Sequence, residues 1–159
     1  MKSVYRVLAF IIALGVAFQA AVMVFAIAGL GIWVDEGNSF DKAAVEALFD
    51  GELSFTGSVG MMLHGMNGMM VMPALALILL IVSFFAKVPG GVKWATAVLL
   101  AVVVQIALGI FGHSNAYFGL LHGVNALILF GLAVTAGMRV RRLDTAPARS
   151  ASAPEREMV

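Results

Sequence analysis

The chain has 159 residues, 62% of them hydrophobic and 12% charged, with a formal net charge of +1 and no cysteine. Its mean hydropathy of +1.01 lies far above that of soluble domains. Without cysteine there is no disulfide framework, thiolate metal site or c-type haem attachment, and the near-neutral charge offers no nucleic-acid surface. Apolar runs of 18 or more residues signal membrane helices, because about 20 residues at 1.5 Å rise cross a ~30 Å hydrocarbon core. The class is integral membrane.

The first predicted span covers about residues 7–34, behind Lys2 and Arg6. Phe18-Gln19-Ala20 imitates a signal-peptide cleavage site, but a signal h-region runs only ~7–15 residues. Here the apolar run from Val7 to Trp33 is interrupted by Gln19 alone, so a retained span is expected. Gln19, near its middle, should face other helices rather than lipid. From Trp33 to Gly57 the chain turns acidic: Asp35, Glu36, Asp41, Glu46, Asp50 and Glu52 against a single Lys42. Phe40, Ala44, Val45, Leu48 and Phe49 recur there at helical spacing, with Ser39 or Asp41 to cap the start and Gly51 after the end. The pattern predicts a short amphipathic helix across the mouth of the bundle, covering apolar side chains.

The second span covers about 58–86 and contains Pro73, which removes a backbone hydrogen bond and predicts a kink. Lys87 to Lys93 reads as a tight basic turn. The third span, about 94–112, carries Gln105 near its middle; His113 to Ala116 forms another short turn, and the fourth span covers about 117–138. Residues 1–142 thus make one four-helix transmembrane domain, and residues 143–159, poor in apolar side chains, a disordered cytoplasmic tail. Lys2, Arg6, Lys87, Lys93 and the arginines from Arg139 onward fall on one side of the bilayer, with Lys42 alone on the other. The positive-inside rule makes both termini cytoplasmic and the acidic loop outward-facing.

Leu63-His64-Gly65-Met66-Asn67 returns once, as Leu121-His122-Gly123-Val124-Asn125. Gln19 then pairs with Gln105, His64 with His122 and Asn67 with Asn125, in the same order in each half. Both halves run in one direction, which implies two parallel helical-hairpin repeats related by an axis along the membrane normal. An ionisable side chain inside a span is costly and reads as a functional site. Asn67 and Asn125 follow their histidines by three residues, on nearly the same helical face. Gly60 and Gly68 flank His64, and Gly119 and Ala126 lie beside His122; small residues there leave room for something flat and large.

Two facing neutral imidazoles on helices of a bundle suit the axial positions of a haem iron, giving one b-type haem near the outer face. Mutual hydrogen bonding of histidines with glutamines or asparagines, gluing helices without a cofactor, is the other reading. Counted from the cytoplasmic ends, His64 lies about six residues further out than His122, ~9 Å at 1.5 Å per residue, a mismatch for a shared ligand. His113 reads as a loop histidine, at most a contact to a haem propionate or a proton path. Met61, Met62, Met66, Met69, Met70 and Met72 crowd the sequence around His64. Thioethers with imidazole suit copper(I), but methionine is also an adaptable filler. Packing ranks first, lining of a haem or quinone pocket second and copper third, with Met66 or Met69 as alternative axial ligands.

A four-span bundle with histidines on its second and fourth spans resembles one half of haem A synthase and, more loosely, small membrane b-type cytochromes. It is also similar to small four-span bacterial membrane proteins sharing the Leu-His-Gly-x-Asn pattern and the basic turn. The first resemblance implies that His64 and His122 ligate a b-type haem. That family's catalytic glutamate before the second-span histidine is missing here, where Ser58-Val59-Gly60-Met61 stands, so haem-modifying chemistry is not implied. The expectation is a bacterial inner-membrane protein for one-electron transfer or haem or redox sensing, working with the quinone pool or a respiratory-chain membrane complex. The rival is a cofactor-free accessory subunit that docks a larger complex through faces such as Gly119-xxx-Gly123; a copper- or quinone-binding protein is the third.

Overall fold

The computed structural model describes the backbone of residues 1–144 and the side chains of residues 1–140; the tail expected from 145 onward lies outside the described residues. Among the described residues every regular element is a helix: α1 (Lys2–Asp35), α2 (Lys42–Phe49), α3 (Val59–Ala86), α4 (Gly91–Gly112) and α5 (Ala116–Asp144). Four of them, all but α2, are long and apolar enough to cross a membrane. α1 packs on α3 and α5, and α4 packs on the same two helices, so α3 and α5 oppose each other diagonally.

Lipid tails are as apolar as leucine, so helices in a bilayer associate through close packing rather than hydrophobic burial. The sequence meets that need with alanine: Ala9, Ala13, Ala76, Ala86, Ala95, Ala133 and Ala136 are all buried. With Tyr5, Ile12, Leu79, Val98, Val102 and Val140 they form one dry core at the end of the bundle where α1 starts. Tyr5 closes it, fully buried, with its hydroxyl donating to the Gly91 carbonyl at 3.0 Å. Tyr5→Phe leaves that carbonyl one partner short and should lower unfolding stability in detergent by ~1 kcal/mol, read from a denaturant titration. Arg139 stacks over Trp94 at 4.8 Å from the ring centre, tying α5 to the start of α4.

Pro73 takes effect one step earlier than expected. It lacks an N–H, and its ring crowds the carbonyl four residues before it, which is that of Met69. Residues Asn67–Val71 respond by opening into a π turn, after which the α-helix resumes at Met72. The disturbance is thus a widened turn directly behind His64.

The loop between α1 and α3 departs from expectation too. α2 forms as read, with the Asp41 carboxylate accepting from the Ala44 N–H at 3.0 Å and Gly51 in the left-handed region (φ 79°) beyond its end. Yet α2 buries none of its residues, and Phe49 is 77% exposed. Of its predicted apolar face, Ala44, Val45 and Leu48 are half-buried, while Phe49 turns outward. An eight-residue helix has too little apolar surface to hold itself down, and the loop is anchored elsewhere. Trp33 stacks on Phe55 (5.7 Å) and meets Phe40 edge-on (6.4 Å). Gly57 (φ 95°) brings the chain back against the Phe25 carbonyl, where a Cβ would sit at 2.5 Å.

Candidate functional site

The dry core stops at Ala13, Met72, Val102 and Leu129. Beyond it, toward the acidic loop, the interior changes to Gln19, His64, Asn67, Gln105, His122 and Asn125, each partly buried. His64 and His122 meet across the diagonal, with ring centroids 6.0 Å apart and planes at 52°. The depth mismatch counted from the sequence disappears. α5 does not end near Met138 but runs on to Asp144, and α3 and α5 each continue 22 residues past their histidines, from 64 to 86 and from 122 to 144.

Each imidazole is held in the same way. Nδ1 of His64 lies 3.2 Å from the Gln19 carbonyl oxygen, and Nδ1 of His122 lies 3.0 Å from that of Gln105. A carbonyl oxygen can only accept, so the ring proton sits on Nδ1 and Nε2 keeps its lone pair. Backbone carbonyls fix metal-binding histidines in this manner. The glutamines reciprocate: Gln19 Nε2 donates to the His64 carbonyl and Gln105 Nε2 to the His122 carbonyl, both at 3.0 Å. Each glutamine–histidine pair therefore joins two helices through two bonds.

The halves then diverge. Asn125 Nδ2 donates to Gln105 Oε1 (2.6 Å) and to the Ala101 carbonyl (2.9 Å), closing a network. The matching atoms of the first half, Gln19 Oε1 and Asn67 Nδ2, are both buried and without a partner. Asn67 opens the π turn, and a widened turn aims its side chain differently from that of Asn125. Gln105→Leu should cost ~1 kcal/mol more stability than Gln19→Leu, since it breaks one more side-chain bond; paired unfolding titrations measure the difference.

The glycines sort differently from expectation. Gly60 does not line a space beside His64: a Cβ there would lie 2.2 Å from the Val22 carbonyl, so its smallness lets α3 touch α1. Gly68 makes way for Gln19, whose Nε2 would be 2.8 Å from an added Cβ. Gly109, not singled out from sequence, makes way for His122, whose ring atoms Nδ1 and Cε1 would lie 3.2 Å from its Cβ. Only the Leu-His-Gly-x-Asn pattern drew attention to its own neighbours, and Gly109 sits on another helix. Gly119 and Gly123 face open space.

His113 stands in the exposed turn after α4, one helical turn beyond Gly109. Met62, Met66, Met69 and Met70 are each more than half exposed on the outer surface, while Met72 is buried against Gly15. Among the described residues no group of three or more histidine, aspartate or glutamate side chains gathers to hold a bare metal ion. A structural zinc site needs four protein ligands. Two neutral imidazoles suit a metal that arrives with most of its other ligands. Comparison with protein-family models, with curated proteins and with solved structures finds no match to this chain.

Proposed function

We propose that this chain is a bacterial inner-membrane protein that holds one b-type haem between His64 and His122, for one-electron transfer or for haem or redox sensing. The single observation behind the reading is the imidazole pair: one ring from each half, 6.0 Å apart, each with its Nδ1 proton on a backbone carbonyl. Two metal–imidazole bonds of ~2 Å, with half a ring behind each nitrogen, span ~6 Å between ring centres. A porphyrin brings four ligands of its own, so a two-histidine site suits it where a bare ion would be underserved. When bound, such a group supplies a reversible one-electron couple whose potential its surroundings tune.

The chain's own residues do the rest. The Gln19 and Gln105 carbonyls hold the ring protons on Nδ1 and orient the two rings. The alanine-rich core keeps water from the terminal side. The matching glutamine–histidine bonds support an origin by duplication of a helical hairpin, with His64, Asn67 and Gln19 equivalent to His122, Asn125 and Gln105. By the distribution of lysine and arginine both termini are cytoplasmic, which puts the pair near the outer face, within reach of a quinone or of a respiratory-chain partner.

The test is the absorption spectrum of protein purified from membranes. A Soret band with an α-band that sharpens on reduction is expected, lost in its bis-histidine form when either His64 or His122 becomes alanine and kept when His113 does. A haem spectrum indifferent to both ligand changes overturns the axial assignment. The open Gly119 and Gly123 positions on α5 favour a second reading, an accessory subunit without a cofactor. That protein would co-purify with a larger complex and show neither band. Copper without a Soret band in elemental analysis would point to the thioether reading.

A further inference from the structure

We infer that the two imidazoles are unequal: His122 is a fixed ligand and His64 a displaceable one, so the His64 side of the haem is the entry point for a neutral diatomic gas. This rests on the haem reading above, and it comes from the difference between the halves rather than from their likeness.

To leave its place, His122 must give up its bond to the Gln105 carbonyl. Beside that bond the Gln105 side-chain oxygen accepts from Asn125 at 2.6 Å, and Asn125 also donates to the Ala101 carbonyl at 2.9 Å. Gly109 also fits closely against the ring. On this side the glutamine oxygen and the asparagine nitrogen already have partners, so a shift of the ring's segment gains no new bond between them. His64 likewise gives up one ring bond, to the Gln19 carbonyl at 3.2 Å. Its surroundings already contain an unmatched acceptor, Gln19 Oε1, and an unmatched donor, Asn67 Nδ2, both buried. These are the two groups whose counterparts bond in the second half. A shift of the His64 segment that lets them meet gains what the present arrangement lacks.

The backbone supplies the means. His64 lies on an eight-residue helical stretch, Val59–Met66, bounded by Gly57 on one side and by the π turn Asn67–Val71 on the other. Drawing the extra residue out of a π turn rotates and advances the short stretch relative to the rest of the helix, and π turns are frequent at functional sites. Helix register shifts occur on the μs–ms scale. α5 carries no such turn between His122 and its inner end.

Carbon monoxide is the probe, added to the reduced, haem-loaded full chain in detergent or nanodiscs. The expected result is a shifted Soret band as CO takes the His64 position. Asn67→Leu removes the buried orphan donor that favours departure and should weaken CO affinity about tenfold, in line with a single unpaired buried group. Asn125→Leu opens the second lock and should strengthen it. Hydrogen exchange gives a readout without haem: amides of residues 59–71 should exchange faster than those of 117–129. A bis-histidine spectrum that CO leaves unchanged, with equal exchange in the two segments, overturns the inference and leaves the haem reading standing. Absence of any haem spectrum overturns the haem reading and the gas site with it, and the exchange difference then tests the inequality of the halves alone.

Discussion

On the proposed haem reading, alanine at His122 should leave the purified protein without a Soret band, whereas alanine at His64 should leave a weaker, high-spin spectrum from haem held by His122 alone. Each substitution deletes one metal bond, but what remains differs. With His122 gone, a haem would rely on an imidazole tied by one 3.2 Å bond and flanked by two unmatched polar groups. With His64 gone, the remaining ring would still be bonded to the Gln105 carbonyl at 3.0 Å, beside a glutamine–asparagine pair that is already satisfied. Loss of an orienting partner costs 10–100-fold in metal affinity, so the deeper loss should fall on the His122 variant. Haem content per protein, from the pyridine haemochrome, and the position of the ferric Soret band measure the two effects separately. Equal low-spin spectra in both variants would remove these histidines from the iron.

The span pattern and the glutamine–histidine–asparagine order were legible because both rest on strong local signals. Long apolar runs have few alternatives in water or lipid, and an intramembrane polar side chain must find a partner. Gln19 reads as inward-facing for that reason, and both it and its counterpart Gln105 are bonded to a histidine carbonyl. What stayed hidden depends on fitting between elements. The roles of Gly60 and Gly109 follow from which backbone or ring lies opposite, on another helix. Pro73 announced a disturbed helix, but that it would be a π turn starting at Asn67, breaking the match with Asn125, depends on how the neighbouring helices seat α3. The amphipathic pattern of α2 was real, and its place was not given by it. Anchoring by Trp33, Phe40 and Phe55 decides where that loop goes.

Gly60→Val should both unfold the protein more easily and strip it of haem, while Gly65→Ala, five residues along the same helix, should do neither. Valine adds a branched side chain where even its Cβ would fall 2.2 Å from the Val22 carbonyl and 3.2 Å from the Ala26 Cβ. Neither the carbonyl nor the alanine can swing aside, so α1 and α3 must part. Overpacking of this kind costs about 1–3 kcal/mol, and in lipid no hydrophobic gain offsets it. The separation falls at the candidate site. Gln19 lies one turn from Val22 on α1, and His64 one turn from Gly60 on α3, so the bonds between Gln19 and His64 are the first to stretch. A ligand displaced by ~1 Å is present but too loose to work, and haem occupancy should drop at least ~10-fold. Gly65 adjoins His64 in sequence, yet a Cβ on it meets nothing within 4 Å. Alanine there should leave melting temperature and haem content within error of the parent. A Gly60→Val protein that keeps both would mean that α1 and α3 are not held at this contact. The route by which Gln19 orients His64 would then have to run elsewhere.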